Sequence, residues 1–182
     1  VNALSKLPTT TVVFQEGLNG YTGQFQKSVG YSSGKATYSA QLGSGVGNYA
    51  VDGGDPDVND LIRFDNIIGS SAGLIPAGAT VLKAQLVLTT AVTGDAQSNG
   101  PFIVNRLTSP VTAATTYAEI SYGAGYEGVR GISTTEPVAG FPALAQGEAG
   151  AADVTAIVRA CVFFDATATI EIYTGGTGDG WN

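Results

Sequence analysis

Histidine and methionine do not occur in this 182-residue chain, and cysteine and tryptophan occur once each. Without histidine, neither a Ser-His-Asp triad nor a Cys-His pair can form, and the usual proton shuttle at neutral pH is missing. A pair of carboxylates remains as a route to glycoside hydrolysis, but the glutamates are scattered along the sequence. We therefore expect a protein that is not an enzyme, with a hidden glycosidase or lyase as the alternative.

The single cysteine, Cys161, excludes an intramolecular disulfide and a cysteine zinc site. It is flanked by apolar residues in the segment "DVTAIVRACVFF". This setting is typical of a buried thiol that packs like a small hydrophobic side chain. A disulfide between two copies of the chain is the alternative.

Charge is also scarce, because charged residues make up only 13% of the chain. The 15 acidic and 8 basic residues give a net charge of −7, which would repel nucleic acid and anionic membrane surfaces. No apolar run reaches about 18 residues, so we expect no membrane span. The chain begins with Val1 and lacks methionine, which indicates a mature, secreted protein with an extracellular location.

The chain is rich instead in glycine, with 26 residues, and in short β-branched segments. Residues 79–90 alternate with the period of a half-buried strand, which places one set of residues on one face and a second set on the other. The two sets are Leu82, Ala84, Leu86 and Leu88, and Val81, Lys83, Gln85 and Val87. Residues 153–161 have a helical period, with Asp153 as the N-cap. These patterns predict one domain over residues 1–182 with an all-β fold, a two-sheet antiparallel β-sandwich that is jelly-roll-like, with one short helix near 153–161. Strands are predicted at 9–16, 36–42, 60–66, 79–90, 102–108 and 167–173, and short strands are expected within 109–152.

Five aspartates lie within 15 positions in the segment "DGGDPDVNDLIRFDN", residues 52–66. Three of its residues follow the D-x-[DN]-x-[DN] spacing with which a loop wraps around calcium. We therefore expect calcium as a cofactor, and the alternative is a solvated acidic turn shaped by glycine and proline. Asp65 is predicted to form an ion pair with Arg63. The candidate calcium ligands are Asp52, Asp55, Asp57, Asn59 and Asp60.

Aromatic residues in glycine-rich segments form a second candidate site. An aromatic ring offers an apolar face with a polar rim, which suits stacking against a sugar. The alternative is that these rings anchor their loops to the body of the domain. The candidate carbohydrate-binding residues are Tyr117, Tyr122, Tyr126 and Trp181.

Four motifs follow one another along the chain, namely R-F-D at 63–65, P-x-G-A-T at 76–80, A-x-L-x-L at 84–88 and D-V-T at 153–155. In this order they resemble the DNRLRE domain, an extracellular β-sandwich related to some carbohydrate-binding modules and to TGF-β-propeptide-like jelly rolls. The opening "FQEGLNGYTG" also resembles the start of members found in secreted bacterial multidomain proteins. The chain departs from the family pattern where Cys161 and Val162 replace a tryptophan, and where it stops at Asn182 before the family's final strand.

A β-sandwich without its last strand leaves backbone N–H and C=O groups unpaired along one edge. The N-terminal strand, with Val12 and Phe14 as the candidate assembly residues, either folds back into this gap or leaves it to a strand from a neighbouring copy. We expect a non-catalytic, secreted structural protein that self-associates into an extracellular filament or matrix by strand complementation, with calcium stabilising its loops. The alternative implied by the resemblance is a carbohydrate-binding module that attaches to an extracellular polysaccharide.

Overall fold

The structure is a computed structural model that describes residues 8–32, 35–40, 51, 57–92, 96–97, 101–107, 111–117, 139–164 and 168–173. Its regular elements are eight strands and one α-helix within these ranges, preceded by a single 3-10 turn at Leu18–Gly20. The strands are β1 (Gln24–Ser32), β2 (Lys35–Ala40), β3 (Asp57–Phe64), β4 (Gln85–Thr89), β5 (Phe102–Arg106), β6 (Ala139–Phe141), β7 (Ala149–Asp153) and β8 (Ala168–Tyr173), and the helix α1 spans Thr155–Phe164.

The strands form two antiparallel sheets. The larger sheet has the order β2-β1-β3-β8-β5-β6, and the smaller one pairs β4 with β7. In the larger sheet, Ile62 lies opposite Gln26 on one side and Ile170 on the other, while Asp60 lies opposite Ile172. The predicted class is confirmed at this level, since the regular elements of the described residues are mostly antiparallel strands, with one short helix.

The main core cluster contains apolar residues from both sheets and from α1. Leu86 and Ala152 come from the small sheet, Ile62 and Val104 come from the large sheet, and Cys161 comes from the helix. Cys161 is buried, as its apolar flanks predict. A second cluster, on the opposite face of the large sheet, contains Val29, Leu61, Leu107, Val111 and Tyr117.

The helix begins where the sequence predicts. The Asp153 carboxylate accepts a hydrogen bond from the Thr155 backbone N–H at 2.9 Å, which satisfies one of the unpaired donors at the helix start. Ile157 and Cys161 on the predicted apolar stripe are buried, whereas Phe163 is exposed. No helix among the described residues is long and apolar enough to cross a membrane.

Two strand predictions need correction. Residues 9–16 form no strand and belong to no sheet formed by the described residues. The strand predicted at 79–90 is shorter, because β4 covers only Gln85–Thr89 and its predicted inward residue Leu82 is exposed. The sheet ends at Ala84 because the backbone N–H of Ala84 bonds to the Thr155 hydroxyl of the first helical turn at 2.9 Å. Sequence analysis also missed β1, whose polar residues interrupt the apolar alternation.

Candidate functional site

A tight loop at residues 14–24 connects the N-terminal segment to β1. Glu16 and Gln24 exchange backbone-to-side-chain hydrogen bonds of 3.1 Å in both directions, and the Gly17 N–H donates to the Tyr21 carbonyl at 2.8 Å. Gly17 has a φ of 79°, a left-handed conformation that glycine adopts without a steric penalty. The Phe14 ring packs edge-on against Tyr21, with the ring centroids 5.3 Å apart, and against the main core cluster. The predicted assembly residue Phe14 therefore anchors this segment to its own domain.

Residues 8–13, which precede this anchor, are called the arm. The arm belongs to no helix, turn or sheet of the described residues, and no hydrogen bond joins its backbone to any other described residue. Thr10 and Thr11 are exposed, Val12 is half-buried, and Val13 is 57% exposed. The arm thus presents a β-branched strand sequence, "TTTVV" at 9–13, whose backbone groups have no partner within the described part of the chain.

The small sheet has an open edge along β4. Hydrogen bonds from Val154 N–H to the Ala84 carbonyl and from Thr90 N–H to the Glu148 carbonyl show that even-numbered residues of β4 direct their backbone groups towards β7. In an antiparallel pair, the intervening residues direct theirs to the other side. The N–H and C=O groups of Gln85, Val87 and Thr89 therefore point away from β7, and they bond to no other described residue.

The predicted calcium ligands that the structure describes do not converge. Asn59 and Asp60 are both buried, and as neighbours in β3 they point to opposite faces of the large sheet. Asp57 is the first residue of β3, and its side chain lies outside the described part of the structure, as do Asp52 and Asp55 altogether. The described residues contain no group of three or more potential metal-ligating side chains. Calcium binding by this segment stays a prediction.

Asp60 forms a buried polar cluster with two residues of β1. Its carboxyl accepts a hydrogen bond from the Gln26 amide at 2.6 Å and a long one from the Ser28 hydroxyl at 3.5 Å. Burial raises the pKa of Asp60 to about 7, and these hydrogen bonds only partly oppose the effect. Asp60 thus faces the interior of the fold, on the side of β3 that carries Ile62.

A strap, residues 111–117, crosses the other face of the large sheet and is held by two cations, Lys27 and Arg63, of which sequence analysis did not single out Lys27. The Lys27 ammonium is 3% exposed and donates to the Ala113 carbonyl at 2.7 Å and to the Thr115 carbonyl at 2.5 Å. Arg63 donates to the Val111 carbonyl. A lysine at an inward strand position is the signal that sequence analysis passed over, because buried lysines are rare unless they are paired.

Arg63 also forms the predicted ion pair with Asp65. The two groups are 2.9 Å apart, and the guanidinium lies over the Phe25 ring at 4.9 Å from its centroid. Asp65 is tied to the N-terminal loop as well, since its backbone carbonyl accepts a hydrogen bond from the Tyr21 hydroxyl at 2.8 Å. This ion pair is therefore part of the packing between β3 and the loop.

Of the four predicted carbohydrate-binding residues, the structure describes only one. Tyr117, the last residue of the strap, is 1% exposed and belongs to the second core cluster, so its ring presents no accessible face. Tyr122, Tyr126 and Trp181 lie outside the described residues. Sugar binding by these three residues stays a prediction.

Comparison of the chain with known protein families, with curated proteins and with solved structures found no match. The resemblance to the DNRLRE domain therefore stays a prediction that rests on the motifs themselves.

Proposed function

We propose that this chain is a non-catalytic structural protein whose copies associate outside the cell by pairing exposed β-strands. In this proposal its two sheets are the layers of a jelly-roll-like sandwich. The sharing of one core cluster by Leu86 and Ala152 of the small sheet and Ile62 and Val104 of the large sheet supports this arrangement.

The observation that carries the proposal is the arm. A β-branched segment with unpaired backbone groups is a ready template for another strand, and natural proteins usually protect such edges with charge, bulges or covering elements. The arm has no charged residue between positions 8 and 13. Association between copies would give its N–H and C=O groups partners and remove the exposed Val13 side chain from water.

Light scattering coupled to size-exclusion chromatography tests this function over a range of protein concentrations. We expect particles heavier than the 18.4 kDa chain, with a mass that rises with concentration, and regular assemblies by negative-stain microscopy. A protein that stays monomeric at the highest soluble concentration, with and without calcium, contradicts the proposal.

A matched pair of variants identifies strand pairing as the cause. The double substitution Thr10→Pro, Thr11→Pro removes one N–H donor from each side of the arm, because neighbouring residues of a strand direct their backbone groups to opposite sides. The control Thr10→Ala, Thr11→Ala removes the same side chains and keeps both donors. Association should be lost in the proline variant and retained in the alanine variant, while both keep the wild-type melting temperature of the monomer.

A further inference from the structure

The open edge of β4 has the properties of an acceptor strand. Its outward backbone groups belong to Gln85, Val87 and Thr89, all exposed and none charged. Val87, at the centre of this edge, is 61% exposed. Edges that natural proteins keep unpaired usually carry lysine, proline or a bulge, and none of these interrupts β4.

The arm matches this edge in length and in chemistry. In strand conformation, at roughly 3.3 Å per residue, the six residues of the arm would span about 20 Å, and the five residues of β4 span about 17 Å. Both segments are uncharged, so pairing them buries no unpaired charge. Within one chain the arm makes no hydrogen bond to β4, and Phe14 holds the end of the arm at the main core cluster.

From this complementarity we propose, as a consequence that rests on the proposed function, that the arm of one copy pairs with the open edge of β4 in a second copy and extends its small sheet to three strands. The contact joins two different surfaces of the same protein. Repeated from copy to copy, such a head-to-tail contact gives an open filament, unless its rotation closes a ring.

Cysteine cross-linking tests the pairing, since the only native thiol, Cys161, is buried. Thr10→Cys and Thr11→Cys place the thiol on opposite faces of the arm, at two exposed positions. Each variant is mixed with Val87→Cys under mild oxidation, at a concentration at which the wild-type protein associates, and the disulfides are located by peptide mapping. We expect one of the two arm variants to cross-link to the Val87→Cys variant at least five times more efficiently than the other, because same-face neighbours on paired strands bring their Cβ atoms within about 5.5 Å.

A matched control is Ser70→Cys, which places a thiol at an exposed bend outside both segments. It should give only background cross-linking with either arm variant. Equal yields for both arm variants, or yields no higher than those of Ser70→Cys, overturn the proposed pairing. If the wild-type protein still associates in that case, the proposed function stands and only the β4 edge is wrong.

The double variant Thr11→Cys, Val87→Cys shows whether the arm pairs with β4 of a second copy or with β4 of its own chain. The double variant Thr10→Cys, Val87→Cys makes the same test. In dilute monomer we expect no disulfide within one chain. A monomer that cross-links internally in high yield shows that the arm reaches its own edge, and this result also overturns the proposal.

Discussion

The carboxyl of Asp60 accepts hydrogen bonds from neutral donors, Gln26 and Ser28, on a buried part of the large sheet. Of the ionisable groups near this face, the Tyr21 hydroxyl bonds to a backbone carbonyl, Cys161 is a buried thiol, and Arg106 lies opposite Ile170, two strands away. None of them contributes to the pKa of Asp60, which burial raises to about 7. The folded protein therefore binds this proton more tightly than the unfolded chain, whose aspartates titrate near 3.9.

This difference predicts an unusual dependence of stability on pH. Stability is highest where Asp60 is protonated in both states and falls as the pH rises from about 4 to about 7, by on the order of 4 kcal/mol. The chain has no histidine, so few other groups titrate between pH 5 and 8. Urea unfolding at pH 5 and pH 8 should show the fall in the wild type, and Asp60→Asn should remove most of it.

Asp153→Asn is the matched control for this experiment. Asp153 is exposed, and its hydrogen bond to Thr155 lowers its pKa, so it stays ionised across this range. The control should keep the wild-type fall between pH 5 and pH 8. An Asp60→Asn variant with the same slope as the wild type would show that Asp60 is already ionised in the fold at pH 5.

Sequence analysis selected Asp60 as a candidate calcium ligand but did not predict that its carboxyl is buried. The strand predicted at 60–66 places Asp60 at its first residue, next to the acidic loop, whereas β3 begins at Asp57 and Asp60 is its fourth residue. Its hydrogen-bond partners come from β1, which lies 32 to 34 positions earlier. Strand pairing over such distances leaves no local pattern, and β1 itself is too polar to be predicted as a strand. The Arg63–Asp65 pair was predictable because its partners lie two residues apart in the sequence, at the end of β3.

At the level of elements, the strap covers the second face of the large sheet, and Lys27 holds it there. Replacing Lys27 by methionine keeps the aliphatic stem but leaves the Ala113 and Thr115 carbonyls without the ammonium donor. The loss of charged hydrogen bonds to buried carbonyls should lower the free energy of unfolding by about 2 to 4 kcal/mol. Equilibrium urea unfolding at pH 7 measures this change.

Lys83→Met provides the comparison, because Lys83 is exposed just before β4 and the same chemical change there should alter stability by less than about 0.5 kcal/mol. Equal effects in the two variants would mean that Lys27 does not hold the strap. Protection of the strap amides from hydrogen exchange should fall in Lys27→Met alone, since opening of the strap is local.

Whether an element could be predicted depends on how close together in the sequence the residues that determine it lie. The helix was predictable, because its cap at Asp153 and its apolar stripe lie within about ten residues. The alternation at 84–88 correctly predicted the inward Leu86 and the outward Val87. The early part of the predicted strand, 79–84, was wrong because a contact with Thr155, 71 positions away, ends the sheet.

For the whole molecule, the sequence predicted antiparallel strands with one helix but not their order. The sheet order β2-β1-β3-β8-β5-β6 places β8, near the end of the chain, between β3 and β5. Such an order depends on long-range pairing, which no local period encodes. It also leaves β4 in a separate two-stranded sheet, and this position is what gives the molecule the open edge on which the proposed association depends.

Calcium binding is a property of the whole molecule that melting experiments can test. If the folded state binds calcium and the unfolded state does not, calcium at about 100 times its dissociation constant should stabilise the fold by about 2.7 kcal/mol. For a domain of this size that corresponds to a rise in melting temperature of roughly 5 to 10 °C over the value in chelator. Magnesium at the same ionic strength should give a smaller rise, because it needs a stricter octahedral geometry.

Variants then decide which carboxylates are responsible. Because Asp60 points into the fold, Asp60→Asn should keep the calcium-dependent rise, whereas Asp55→Asn combined with Asp57→Asn should abolish it. If Asp60→Asn alone abolishes the rise, the ion binds inside the fold and the buried cluster with Gln26 and Ser28 must rearrange to admit it. If the melting curves of the wild type coincide in calcium and in chelator, the acidic segment is a solvated turn, and the association of copies must be explained by strand pairing without the ion.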